Sequence, residues 1–174
     1  QRLAGKAGER RVELDVQADP WAGLEVLIML VVADGAGQTG ETAEIATRLP
    51  ARPFFNPLAR AVIEQRQTLA VAPTDWRRAG RSFDALTLAP EFFYERSTDY
   101  LLLRTAFWRV MRQGGEDFTQ TVNEFWPLAL QLEDEALELA RGRLEAAQEA
   151  LRQALENGAS DAEIERLVEE LRQA

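Results

Sequence analysis

The chain has 174 residues, of which 46% are hydrophobic, so it can bury the core of one ordinary domain or two small ones. It contains neither Cys nor His, which excludes disulfides, thiol nucleophiles, imidazole bases and nearly all zinc sites. The net charge of −9 argues against nucleic acid and against an anionic membrane surface as partners. The acidity is concentrated in residues 133–174, which carry twelve acidic side chains and five Arg.

Residues 10–50 predict a small antiparallel β unit, after a polar end or linker at residues 1–9. Residues 10–17 alternate apolar and polar side chains, as a half-buried strand does. Residues 24–33 form an apolar run typical of a buried central strand, and residues 43–49 alternate again. Three strands with short connections suggest a meander, which we interpret as part of an immunoglobulin-like sandwich.

The stretch from Gly35 to Gly40 matches the pattern G-x-G-x-x-G after an apolar strand. A dinucleotide site needs a helix that begins at these glycines, whereas the next segment here alternates like a strand. The stretch also nearly matches a P-loop, but Glu41 stands where the phosphate-binding Lys belongs. We therefore predict a hairpin turn and expect no cofactor.

From Asn56 the apolar period changes to 3.6 residues, which predicts a helical bundle over residues 56–132. Asn56 is expected to cap a first helix that begins with Pro and extends to about residue 71. Thr74 or Asp75 is expected to cap a second helix.

A third helix is predicted to end at Gly114-Gly115, since glycine readily adopts the left-handed conformation that ends helices. A fourth helix is predicted to begin near Glu116. Pro127 lies inside its apolar pattern and is expected to kink or divide it.

Residues 133–174 predict an acidic helical hairpin. Leu recurs every seven residues, and Ala recurs three positions after the last three Leu, which is the pattern of an a/d heptad seam. A capping box at Ser160 to Glu163 begins a final helix, which is expected to fold back on the heptad helix. The candidate interaction seam consists of Leu137, Ala140, Leu144, Ala147 and Leu151.

Two interpretations of this seam stay open. It packs against the final helix and the preceding bundle, or it serves self-association or the docking of a partner helix. Acidic side chains alternate with Arg along the same helices, for example at Glu138/Arg141 and Arg152/Glu156. This spacing is typical of a solvated, salt-bridged face and not of a metal or acid/base site.

A second candidate site surrounds Trp76 and Arg77. Arg77, Arg78 and Arg81 form a basic spot beside this Trp, which fits the wet side of an amphipathic helix or a place where a phosphate or base binds. We consider a pocket between the β unit and the helices, near Trp76 and Arg77, as the alternative to the seam.

Several phrases of the sequence also carry a family resemblance. They are Pro20-Trp21-Ala22-Gly23-Leu24, Asn56-Pro57-Leu58-Ala59-Arg60, Leu86-Thr87-Leu88-Ala89-Pro90-Glu91, Trp108-Arg109 and the run from Ala147 to Arg172. With them the stretch 21–174 resembles an uncharacterised family of large bacterial inner-membrane proteins, mostly alphaproteobacterial, with N-terminal transmembrane helices and a long soluble helical body. The resemblance implies an internal segment of a membrane-anchored protein on the periplasmic side, and it carries no catalytic signature.

The sequence thus predicts a mainly α fold with a small N-terminal antiparallel β unit. No apolar run reaches the length of a transmembrane helix. We expect a non-catalytic, extracytoplasmic scaffold or protein-interaction segment that binds a protein partner or a second copy through its helices, without nucleic acid, metal or direct membrane insertion. The alternatives are a ligand-binding domain and, last, an enzyme that depends on carboxylates.

Overall fold

The computed structural model describes residues 13–88, 90, 94, 96–115 and 117–173. The chain divides into two compact units, Gln1–Pro53 and Phe54–Ala174. Its described part is mainly helical, with a small antiparallel β unit near the N-terminus. The predicted fold class is therefore confirmed.

The N-terminal unit contains one β-hairpin that is interrupted halfway along both arms. At its open end β1 (Glu25–Ile28) pairs with β4 (Ile45–Arg48). Nearer the tip β2 (Val31–Ala33) pairs with β3 (Thr39–Glu41). Both pairings are antiparallel and nested, so the expected meander of three strands is wrong.

The tip of this hairpin is the Gly-rich stretch that resembles a nucleotide-binding loop. The carboxylate of Asp34 accepts the backbone N–H groups of Ala36 and Gln38, both at 2.8 Å. Gly37 has a φ of 81°, in the left-handed region that favours glycine. A strand follows, not a helix, so the predicted hairpin turn is confirmed.

The apolar run at residues 24–33 is not the buried central strand that its composition predicts. Leu27 is 66% exposed and Val32 is 67% exposed, because each is on a two-stranded ladder with no third strand among the described residues. Residues 13–17 form no strand, which corrects the first predicted strand over its described part, and residues 10–12 lie outside that part. The immunoglobulin-like sandwich stays a prediction.

The second unit is an α-helical bundle. The described residues form five α-helices: α1 (Pro57–Val71), α2 (Trp76–Leu86), α3 (Ser97–Gln113), α4 (Thr119–Glu156) and α5 (Asp161–Gln173). The first helix packs along the beginning of α4, α2 packs against α3, and α5 folds back on the end of α4. The predicted folded-back final helix is therefore confirmed.

Local signals explain several helix ends. Asn56 caps α1, since its side-chain oxygen accepts the N–H of Leu58 at 2.7 Å, and Gly114 ends α3 in the left-handed conformation. At α2 the predicted side-chain cap is wrong. Asp75 occupies the cap position without a side-chain hydrogen bond, because a 3-10 turn leads the chain directly into this helix.

The helix α4 is 38 residues long and continues through Pro127. A proline removes the N–H that would bond the carbonyl four residues earlier, here that of Asn123. Both residues are exposed, so solvent replaces the missing hydrogen bond at low cost. The alternative in which Pro127 divides the helix is therefore wrong.

The core of the bundle is apolar and aromatic. Phe83 of α2 and Phe125 of α4 meet edge to face, with ring centroids 5.3 Å apart. The largest fully buried side chains come from the first four helices: Phe83, Phe125, Leu69, Leu103, Leu132, Val62 and Val110. Aromatic pairs of this kind stabilise a core by about 0.5–1.5 kcal/mol beyond their burial.

Candidate functional site

The long helix α4 carries a second heptad register beside the Leu/Ala seam. Apolar residues recur at alternating steps of three and four and continue past the buried part of the helix: Val122, Phe125, Ala129, Leu132, Ala136 and Leu139. The first four are buried in the bundle core, whereas the last two are only partly covered. The stripe that builds the core therefore extends beyond the end of the core.

The predicted seam is divided between a covered and an uncovered part. Ala147 and Leu151 are half-buried, whereas Leu137 is 48% exposed, Leu144 is 39% exposed and Ala140 is exposed. The final helix α5 has 13 residues, so after a short turn it can cover about thirteen residues of α4, back to about residue 144. Leu137 and Ala140 lie beyond its reach.

Within α5 the apolar side chains face inward, with Leu167 buried. The helix begins at the predicted capping box, where Ser160 Oγ accepts the N–H of Glu163 at 3.4 Å. Its outer face carries Arg166, which pairs with Glu163 and Glu170. The acidic hairpin thus has the solvated ion-pair face that its sequence indicates.

An open groove lies beside the uncovered part of α4. Its volume is about 630 Å³, and its apolar lining includes Leu58 of α1, Leu86 of α2, Tyr94, and Leu139 and Ala140 of α4. The start of α1, the end of α2 and two turns of α4 thus meet around one concavity. We call this concavity the groove. Its size is in the range of roughly 300–1,000 Å³ that is common for ligand sites.

One wall of the groove is acidic. Asp99, in the first turn of α3, lines the groove and interacts with Glu135 of α4. Burial raises the pKa of the Asp99 carboxyl above its ordinary value, and the charge of Glu135 raises it further. The positive charge of Arg96 opposes this rise in the pKa of Asp99. The Arg96 guanidinium also lies 3.3 Å from Glu135 Oε2.

The same Glu135 oxygen is buried and makes no hydrogen bond within the part of the chain that the structure describes. Two carboxylates therefore face one guanidinium at this wall. Carboxyl groups with a raised pKa beside a cavity are a general mark of functional sites, although structural ion pairs also shift pKa values. Among the described residues there is no group of three acidic side chains that could hold a metal ion.

Tyr94 forms the polar edge of the groove. Its hydroxyl donates to the carbonyl oxygen of Leu86 at 2.6 Å, and its ring meets Tyr100 edge to face. Burial raises the pKa of the Tyr94 hydroxyl, and the nearby Asp99 charge adds to this rise. The hydroxyl therefore stays neutral and holds the end of α2 against the groove.

The second predicted site has a different geometry. The guanidinium of Arg77 stacks over the Trp76 ring, 4.3 Å from its centroid, and this indole also packs closely against Gly115. Trp76 is half-buried against the core, and Arg77 is exposed. Trp76 thus has a structural role, and ligand binding at these two residues stays a prediction.

Sequence reasoning missed most of the groove. Leu58, Leu86, Tyr94 and Asp99 come from separate helices and connections, so no local spacing brings them together. One signal was present: the register of Phe125 and Leu132 continues to Leu139 and marks the groove face of α4.

The fold and the groove define a helical-bundle domain with a long, partly uncovered helix, preceded by a β-hairpin unit. A family model described as Domain of unknown function (DUF4175) matches residues 2–174, so the chain belongs to that family. No curated protein and no solved structure matches it. Among the described residues, no helix combines the length and apolarity needed to cross a membrane.

Proposed function

We propose that the chain is a non-catalytic, extracytoplasmic scaffold or protein-interaction segment of a membrane-anchored protein, and that it acts through helix packing. The observation that carries the proposal is the uncovered apolar surface in the middle of α4. The residues that bury α4 in the core end at Leu132, and α5 is long enough to cover the helix only from about residue 144. Leu137 and Leu139 lie between these two limits, and both are exposed.

Full burial of a Leu side chain is worth about 1.5–3 kcal/mol, and these Leu side chains still expose roughly 40–50% of their surface. A partner that covers both of them gains on the order of 1 kcal/mol from each. Exposed apolar side chains grouped along one stretch of a helix often mark a protein-interaction site.

A photo-crosslinking experiment tests the proposal. A photoreactive amino acid replaces Leu137 or Leu144 in the full-length protein, and in a control it replaces Leu101 on α3, which is more exposed than either. We expect a discrete protein adduct from the two α4 positions and none from α3. Equal labelling at all three positions, or no adduct at any, contradicts the proposal.

Light scattering across concentration then identifies the kind of partner. If the partner is a second copy, the mass of the wild-type chain rises with concentration, and Leu144→Glu restores a folded monomer. If the partner is another protein, both chains stay monomeric and only the crosslink reports the interaction. If Leu144→Glu unfolds the chain, Leu144 serves internal packing, and the docking surface is limited to Leu137 and Leu139.

The extracytoplasmic location rests on the family resemblance. The chain has no Cys, so a single Cys at exposed Ser160 in an otherwise Cys-free full-length protein gives a specific labelling site. We expect a membrane-impermeant maleimide to label this Cys once the outer membrane is permeabilised. Labelling that requires lysis of the inner membrane contradicts the proposed location.

The groove supports a second candidate function, that of a ligand-binding domain. Its volume of about 630 Å³ and its mostly apolar lining suit a small molecule with one polar end. A thermal-shift screen of apolar amines and neutral analogues tests this candidate. A rise in Tm that disappears in Leu139→Glu supports it, and no shift with any compound counts against it.

A further inference from the structure

The charge distribution along the groove indicates what kind of helix it receives. At one end, Asp99 and Glu135 face the single guanidinium of Arg96, so this end has an excess of negative charge. Glu135 Oε2 is buried there without a hydrogen bond in the part of the chain that the structure describes. The Arg96 guanidinium lies 3.3 Å from that oxygen, so the charge left over at this end is that of Asp99, and a cation brought by a partner would balance it.

The rest of the groove is apolar along α4. Ala136, Leu139 and Ala140 lie on one face of this helix, and Arg143 lies at the far end of the same face. Glu135 and Arg143 are eight residues apart, or about 12 Å along the helix axis. The groove therefore has an acidic end, an apolar middle of about two helical turns and a basic end.

We propose that the groove binds an amphipathic helix of a partner protein whose Lys or Arg reaches Asp99, beside Glu135. This inference deepens the proposed function and rests on it. The exposed stripe on α4 has the spacing of three and four residues into which the side chains of a second helix pack. Small Ala136 and Ala140 let such a helix approach closely, and the acidic end fixes its direction.

The negative charges of Asp99 and Glu135 also disfavour other occupants of the groove. An anionic peptide, a nucleic acid or an anionic lipid surface would bring further negative charge to Asp99 and Glu135. A purely apolar helix would cover the Leu side chains but would leave the excess negative charge at Asp99 unbalanced. A cationic, amphipathic helix satisfies both parts of the surface.

The probe is a displayed library of amphipathic helices that share a Leu/Ala stripe and vary at the flanking positions. It is selected on the whole chain, and binding of the selected peptides is then measured by fluorescence anisotropy. We expect the selected helices to carry Lys or Arg at one fixed position relative to the stripe. We also expect their affinity to fall at least about tenfold on the double variant Asp99→Asn/Glu135→Gln.

Two further variants complete the design. Leu139→Glu places a charge in the apolar middle and should abolish binding, whereas Glu138→Gln removes a charge from the outer face of α4 and should leave binding unchanged. Circular dichroism confirms that each variant is folded. If the double variant is unfolded, Asp99→Asn alone replaces it, since Asp99 is the acidic residue that lines the groove.

The outcomes separate the inference from the proposed function. Helices that bind through the groove without any basic preference, or equally well to the double variant, overturn the inference and leave helix docking intact. No selection above the background of Leu139→Glu also overturns it, and the crosslinks from Leu137 and Leu144 then decide the proposed function independently. Concentration-dependent dimers that Leu139→Glu dissociates would show that the occupant is a second copy, which also overturns the partner assignment.

Discussion

Glu133, in the middle of α4, accepts the backbone N–H of Asn56 at 2.9 Å, immediately before α1 begins. Its second carboxylate oxygen accepts the N–H of Phe55 at 2.8 Å. The side chain of Asn56 returns a hydrogen bond to the carbonyl oxygen of Leu132 at 3.0 Å. These contacts join the start of α1 to α4 at the edge of the groove, across more than seventy residues of chain.

Glu133→Ala should therefore destabilise the bundle. The carboxylate accepts two backbone N–H groups, and hydrogen bonds to charged groups are worth about 1.5–3 kcal/mol each before the loss is reduced by water at this half-buried site. We expect a loss of about 1–3 kcal/mol in the free energy of unfolding, measured by urea denaturation. Glu138→Ala, at an exposed position on the same helix, is the control and should change stability by less than about 0.5 kcal/mol. Equal losses would contradict the role given to Glu133.

Arg66 is a buried charge in the bundle core. It is 3% exposed, its Nε donates to the carbonyl oxygen of Val122 at 2.8 Å, and its guanidinium lies 5.3 Å from the centroid of the Trp126 ring. Removing it would leave a cavity and would take away the side-chain donor to the Val122 carbonyl oxygen. Arg66→Ala should cost about 2–4 kcal/mol in thermal or chemical unfolding. Arg60→Ala, on the exposed face of the same helix, should be nearly neutral, and a smaller loss at Arg66 than at Arg60 would rule this interpretation out.

The ends of the helices were predictable where nearby residues determine them. Asn56 and Ser160 cap the helices that follow them, and Gly114 ends the helix before it. The sequence therefore predicts these helix ends. The β unit was harder, because a run such as residues 24–33 has the composition of a buried strand whether or not anything covers it.

The candidate site shows what the periodicity of the sequence cannot predict. The Leu/Ala seam was found, but spacing alone does not tell which turns another helix covers. That depends on the length of α5 and on where the bundle ends. Asp99 and Glu135 meet only because α3 and α4 cross, a contact between residues 36 positions apart that no local pattern contains.

Two glycines should respond in opposite ways to the same substitution. Gly115 has a φ of 98°, and a Cβ there would lie 2.9 Å from the indole Nε1 of Trp76. Gly142 lies in the middle of α4 with open space around it. Gly115→Ala should destabilise by at least about 1 kcal/mol, because it adds backbone strain to a steric clash. Gly142→Ala should stabilise by up to about 1 kcal/mol through its better helix propensity. Thermal unfolding of the two variants compares them directly, and equal shifts in Tm would contradict the close packing of Trp76 on Gly115.

The raised pKa of Asp99 predicts how the stability of the chain depends on pH. The folded state holds the proton on this carboxyl more tightly than the unfolded state does, so its contribution to stability is greatest below the ordinary pKa of 3.8. That contribution is lost as the pH rises through the raised pKa. Asp99→Asn resembles the protonated form, so at neutral pH it should be more stable than the wild type, by at most about 1 kcal/mol at this partly solvated site. The difference should disappear below pH 3.8.

Asp117 provides a control of opposite sign. Hydrogen bonds from the side chain and backbone of Thr119 lower the pKa of this carboxyl. Its contribution is present above pH 3.8 and is lost as the pH falls towards the lowered pKa, so Asp117→Asn should destabilise the chain at neutral pH. Urea denaturation from pH 3 to pH 7 measures both variants. If Asp99→Asn were the less stable chain at neutral pH, the Asp99 carboxylate would already be well paired in the folded chain, and the groove would have no need of a cation from a partner.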